Sequence, residues 1–170
     1  FTNPISLSIL LILFGWILLS ILICLTFIDI ENMILPNSLT FGGSILGLCF
    51  ILFVDVFKNK SVGELFNDHL LSYFLVLFGV YFFSLLVKFI LKKPGLGEGD
   101  AKLFAMSAAW LGSLGFEVTI TLSFILGGFF ALVGLFSKRI KRGQYIPFGP
   151  FICFSTFLTW TLGPDTIIKF

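Results

Sequence analysis

The chain has 170 residues, 58% of them hydrophobic and 12% charged, with 24 phenylalanines, a mean hydropathy of +1.09 and a net charge of +2. Soluble domains carry about a quarter of their residues as charges, so a water-surrounded globule of this size is excluded and an integral membrane protein is expected. No basic, aromatic-interleaved face suits nucleic acid, and nothing in the balance of charge points to a nucleic-acid partner.

Residues 5–27 run without a charge, which makes a helix of about 34 Å at 1.5 Å per residue. The run ends at Asp29, and "DIENMILPN", with Pro36 and Asn37, reads as a short polar connection. A second span covers residues 38–54, and "DVFKNKSVGELFNDH" is aqueous. A third covers 70–90, broken only by Lys88 near its end, where the side chain can snorkel. After "GLGEGDAK" (95–102), the run "LFAMSAAWLG" is too short to cross alone, so the fourth element begins near Gly99 and takes Asp100 and Lys102 into its first turn. Residues 118–137 make a fifth span, "KRIKRGQYIPFGP" a basic connection, and 148–162 a short sixth. The fold class is all-α: a polytopic helical bundle of about six transmembrane helices forming one domain over residues 1–170.

Alternating loops divide the cations eight against three. Lys88, Lys92, Lys93, Lys102, Lys138, Arg139, Lys141 and Arg142 fall on one side, and Lys58, Lys60 and Lys169 on the other. The larger set marks the cytoplasmic face, both chain ends point outward, and Asp29 and Asp100 come to the same cytoplasmic level. Cys24, Cys49 and Cys153 lie inside apolar runs with no CxxC and no nearby His, so they read as packing residues and no metal site is expected. The chain opens on Phe rather than Met, which suggests processing or a longer parent.

Of nine acids, Asp55, Glu64, Asp68, Glu117 and Asp165 fall in outward loops or at the chain end, where water is expected to solvate them. Asp29, Glu31, Glu98 and Asp100 remain on the cytoplasmic side. Two acids at one depth on different spans suggest a pair sharing a proton, one acting as base on a water and the other donating to a carbonyl oxygen. Gly97 and Gly99 would clear the way for an extended peptide, and a helix start at Asp100 favours its ionised form, which suits the base. Helix capping and headgroup anchoring explain the same acids more plainly, and on spacing alone that reading outweighs the catalytic one. A small proton- or cation-coupled transporter is the alternative that intramembrane acids allow, although such sites tend to lie at mid-depth between repeats, and no internal repeat is visible here. A dinucleotide fingerprint is excluded, because its third glycine would fall on Asp100.

"GLGEGDAKLFAMSAAWLG" resembles the GxGD signature of the type IV prepilin peptidases, membrane aspartyl proteases that include the archaeal preflagellin peptidases. "FIDIENMILPNSLTFGG" resembles the first-acid segment of that family, and "IPFGPFI" (146–152) its third signature, all in the family's order. The resemblance implies that Asp29 and Asp100 are the catalytic acids. It puts Gly97 and Gly99 on the motif glycines and Lys102 on the usual lysine. Pro36, Asn37, Pro147, Gly149 and Pro150 then fall on motif positions that shape the connections around the cleft. Glu31, two residues from Asp29, reads as a solvated loop acid. The implied substrates are type IV prepilins or pseudopilins, cut on the cytoplasmic side of the bacterial inner membrane by a multi-pass enzyme in contact with lipid. The peptidase step implies no cofactor and no metal. Long members add a zinc-binding region with two CxxC pairs and methylate the product with S-adenosylmethionine. No such cysteines stand here, so the chain is expected to be the C-terminal catalytic portion of a longer enzyme, and S-adenosylmethionine would matter only with the missing N-terminal region.

Overall fold

The computed structural model describes residues 4–58, 63–91, 97–138, 146–163 and 167. They form five helices: α1 Pro4–Asn32, α2 Asn37–Lys58, α3 Glu64–Leu91, α4 Glu98–Phe136 and α5 Gly149–Leu162. Four of these, α1 to α4, are long and apolar enough to cross a membrane. Phe78, Phe82, Phe89, Phe129 and Phe136 are exposed on their outer faces, where hydrocarbon and not water is the matching solvent.

At 39 residues, α4 would reach about 58 Å if straight, nearly twice a bilayer core of about 30 Å. It does not run straight, because Gly112 breaks it with φ 70° and ψ −169°. Ahead of the break its contacts climb α5, Ser107 meeting Thr156 and Trp110 meeting Trp160. Beyond the break they descend, Thr119 meeting Thr159 and Phe124 meeting Phe148. The chain therefore doubles back at Gly112. The expected fourth and fifth spans are the two limbs of this hairpin, and with α5 the bundle has six helical limbs.

The first limb of α4 and the 14-residue α5 are each about 21 Å long, too short to span alone. They lie inside the bundle instead. Leu103, Phe104, Ala105, Met106, Ala108, Ala109 and Ile152 are fully buried there, together with Ser107 and Thr156, whose hydroxyls bond each other at 2.7 Å. Gly43 and Gly47 on α2 let Met106 and Trp110 seat against the helix backbone, and Trp110 donates to the Gly43 carbonyl at 2.8 Å.

The reversal is pinned from α3. Asp68 accepts the Ser113 N–H at 3.2 Å, and the Nδ1–H of buried His69 donates to the Ala109 carbonyl at 3.1 Å. A methyl on Gly112 would lie 2.6 Å from Asp68 Oδ2 and 3.0 Å from His69 Nε2, at a φ that L-residues avoid. Gly112→Ala is therefore expected to destabilise the fold by about 2 kcal/mol or more, read as a lower thermal midpoint in detergent. Gly79→Ala, in open space on α3, should cost nothing.

Several expectations need correction. Asp55 is not solvated: it is buried in the last turns of α2 and accepts the N–H groups of Gly63 (2.8 Å) and Phe66 (3.3 Å), capping the start of α3. Glu64 and Asp68 belong to α3 and Glu117 to α4, not to loops, because these helices extend past the apolar stretches that announced them. Asp29 likewise stands within α1, which runs three residues further before Met33 ends it at φ 53°. Cys153 is buried as expected, but Cys24 and Cys49 are exposed on outer helix faces. Lys60, Lys92, Lys93, Arg139, Lys141, Arg142, Asp165 and Lys169 lie outside the described residues.

Candidate active site

Asp29 and Asp100 reach the same place from different helices. Asp29 projects from the last turns of α1 and is 5% exposed; its Oδ2 accepts the backbone N–H of Gly149 at 2.9 Å. That N–H belongs to the first residue of α5, one of the donors a helix start leaves without an internal partner. Asp100 is the third residue of α4, and its Oδ2 accepts the N–H of Gly97, just ahead of that helix, at 3.2 Å. Each carboxylate thus spends one oxygen on a backbone donor at a helix start.

Both line a cavity of about 780 Å³ at the end of the bundle opposite the Gly112 turn. Met33, Ile34, Leu35, Pro36 and Asn37 form one wall, and Gly97, Glu98, Gly99 and Lys102 another. Phe124, Ile146, Pro147 and Phe148 complete it with an apolar side. The lining is mostly apolar with a smaller polar part that includes the two carboxylates, a shape that could admit a peptide with apolar side chains.

The structure gathers nearly every residue singled out by the sequence. Asp29, Asp100, Gly97, Gly99, Lys102, Pro36, Asn37 and Pro147 all border the cavity. Gly149 lies behind it, bonded to Asp29, and Pro150 follows in the first turn of α5, where a missing N–H costs no helix bond. Glu31 is exposed and is not among the cavity residues. Glu98 is, at the exposed rim. Phe124 and Phe148 were not singled out as site residues; their rings pack with centroids 5.2 Å apart, and although Phe148 stands inside the "IPFGPFI" signature, Phe124 sits in an apolar run that gives no local sign of facing a cavity.

The glycines have a different use from the one their spacing suggests. A Cβ on Gly99 would stand 3.0 Å from Leu35 Cβ, and one on Gly97 3.2 Å from Asp100 Oδ2. One on Gly149 would stand 2.5 Å from Asp29 Oδ2. In each case the space is filled by the protein's own atoms, two of them the carboxylate oxygens themselves. Among the described residues, no three His, Cys, Asp or Glu side chains come together where they could hold a metal ion.

The profile of the type IV leader peptidase family matches residues 16–132, a stretch that contains both Asp29 and Asp100. A prepilin leader peptidase/N-methyltransferase of Legionella pneumophila is 33% identical over 158 residues, covering 93% of this chain and 52% of that protein. The protein of the same name from Dichelobacter nodosus is 35% identical over 165 residues, covering 95% and 51%. That from Neisseria gonorrhoeae is 35% identical over 150 residues, covering 86% and 48%. The chain spans about half the length of these relatives. No solved structure matches.

Proposed function

The chain belongs to the type IV leader peptidase family, and from that premise we propose that it is an aspartyl endopeptidase that removes the leader from type IV prepilins or pseudopilins. The observation that carries this reading is the meeting of Asp29 and Asp100, from two separate helices, in one open cavity at a helix-end level of the bundle.

The reaction follows from that pairing. A water between the carboxylates gives a proton to the ionised one as its oxygen attacks the scissile carbonyl carbon. The protonated one donates to the carbonyl oxygen, giving a neutral tetrahedral diol. In the collapse the first carboxyl gives its proton to the leaving nitrogen, the second takes one from a diol hydroxyl, the C–N bond breaks, and the pair returns to its starting charge. The bonds from Gly149 and Gly97 go to Oδ2 of each acid, and in this reading the Oδ1 atoms would serve the water. The dyad needs no metal or cofactor for these steps. A transporter reading has less support, since Asp29 and Asp100 stand in the last and first turns of their helices and not at mid-depth.

The charge count on the connecting segments supports the cytoplasmic face for this cavity and, with bacterial relatives, the inner membrane. The relatives' name includes N-methyltransferase; that activity would call for S-adenosylmethionine, and the described residues are assigned no part in it. The purified chain, incubated in detergent with a synthetic prepilin with and without S-adenosylmethionine, is expected to give a product lacking the leader mass in both cases. An uncut substrate in both, with the protein folded, overturns the reading; an added methyl mass would extend it.

A further inference from the structure

Two contacts join the start of α4 to the wall opposite. The ammonium of Lys102 donates to Asn37 Oδ1 at 2.8 Å, across 65 residues of sequence. One turn earlier, Gly99 packs on Leu35 so closely that a methyl there would stand 3.0 Å from its Cβ. Leu35 and Asn37 flank Pro36, which fixes the backbone between them and whose carbonyl accepts the Leu39 and Thr40 N–H groups that open α2. This segment is tied into the start of α2 where Lys102 meets it, and it continues directly from the end of α1 that carries Asp29. Lys102 stands two residues past Asp100, so the two side chains leave the helix on different sides. One lines the cavity with Asp29, and the other bonds to the opposite wall.

We propose that Lys102 is a positioning residue for the peptidase reaction: its bond to Asn37 sets where the α4 start, and with it Asp100, stands relative to Asp29. The proposal rests on the peptidase reading and adds to it a reason for a lysine at this place. A lysine suits the task because its four-carbon stem spans the gap while the ammonium remains at the wet rim. An amide oxygen suits it on the other side because it accepts without adding a third charge to the carboxylates' surroundings.

The test is a double-mutant cycle on cleavage of a synthetic prepilin. Lys102→Met and Asn37→Ala are each expected to lower kcat on the order of ten- to a hundredfold, the scale on which an ångström of misplacement acts, with KM nearly unchanged. The double variant should be no slower than the slower single, because either change alone opens the tie. Asn37→Asp, which keeps an oxygen acceptor, should fall less far than Asn37→Ala. Losses that multiply in the double variant, or that appear in KM, would overturn the proposal and make Lys102 a direct substrate contact. A second measurement does not depend on cleavage. Spin labels at exposed Glu98 and Ser38, in a background with Cys24, Cys49 and Cys153 replaced by Ala, should give one narrow distance that broadens in Lys102→Met. An unchanged distribution overturns the tie, whereas wild-type protein that shows the narrow distance and does not cleave overturns the peptidase reading instead.

Discussion

Asp29→Asn and Asp100→Asn are each expected to end leader cleavage, with kcat lower by about a thousandfold or more, the upper part of the range for losing a positioned acid or base. Asn keeps the shape and the acceptor oxygen of Asp, so the bond from Gly149 to residue 29, or from Gly97 to residue 100, survives. What disappears is the ionisable group. With a single carboxylate, the ionised form can take the proton of water but nothing hands one to the carbonyl oxygen; the protonated form can do only the reverse. Because the two act as a unit, the double variant should be scarcely worse than either single. Glu31→Gln is the control: the side chain is exposed, does not border the cavity, and should cleave like wild type. Thermal midpoints in detergent confirm that each variant is folded. Cleavage near the wild-type rate in either Asp variant would end the dyad assignment.

What could be seen in the sequence, and what could not, follows from the range of the interactions. Helix existence and membrane class came from composition and uncharged runs, which are local, and the structure has helices wherever those runs stand. The meeting of Asp29 and Asp100 was readable because membrane spans have a direction: two acids at ends of alternate sense must share a level. Helix ends were less readable, since Asp29 and Asp68 sit on polar turns that continue apolar helices. The hairpin in α4 hides in a Leu-Gly-Ser step of an apolar stretch, where only the limit on span length hints that the chain turns. Asp55 reads as a loop acid because its partners, Gly63 and Phe66, lie eight and eleven residues further along the chain. Gly97 and Gly99 show the deeper difficulty. The sequence records a missing side chain, but it does not say whether a substrate, Leu35 or a carboxylate occupies the room.

Gly149 is the sharpest instance, since its partner is 120 residues away. Gly149→Ala is expected to lower kcat by about a hundredfold or more while the protein stays folded. The added methyl would stand 2.5 Å from Asp29 Oδ2, 2.9 Å from its Cγ and 3.2 Å from its Cβ, so the carboxylate or the start of α5 has to move. Moving the carboxylate breaks the N–H bond that aims it; moving α5 widens the gap to α1 and breaks the same bond. The backbone itself has no objection, because Gly149 does not adopt a positive φ and Ala is the better helix former. Its cost therefore falls on the aim of Asp29 rather than on the fold, and the thermal midpoint should stay close to wild type. Gly128→Ala, in open space on the second limb of α4, separates this effect from any general consequence of losing a glycine and should leave both quantities unchanged. A kcat for Gly149→Ala within about threefold of wild type would mean that the bond from Gly149 does not govern the catalytic geometry, because an ångström of displacement at a reacting carboxylate costs far more than that.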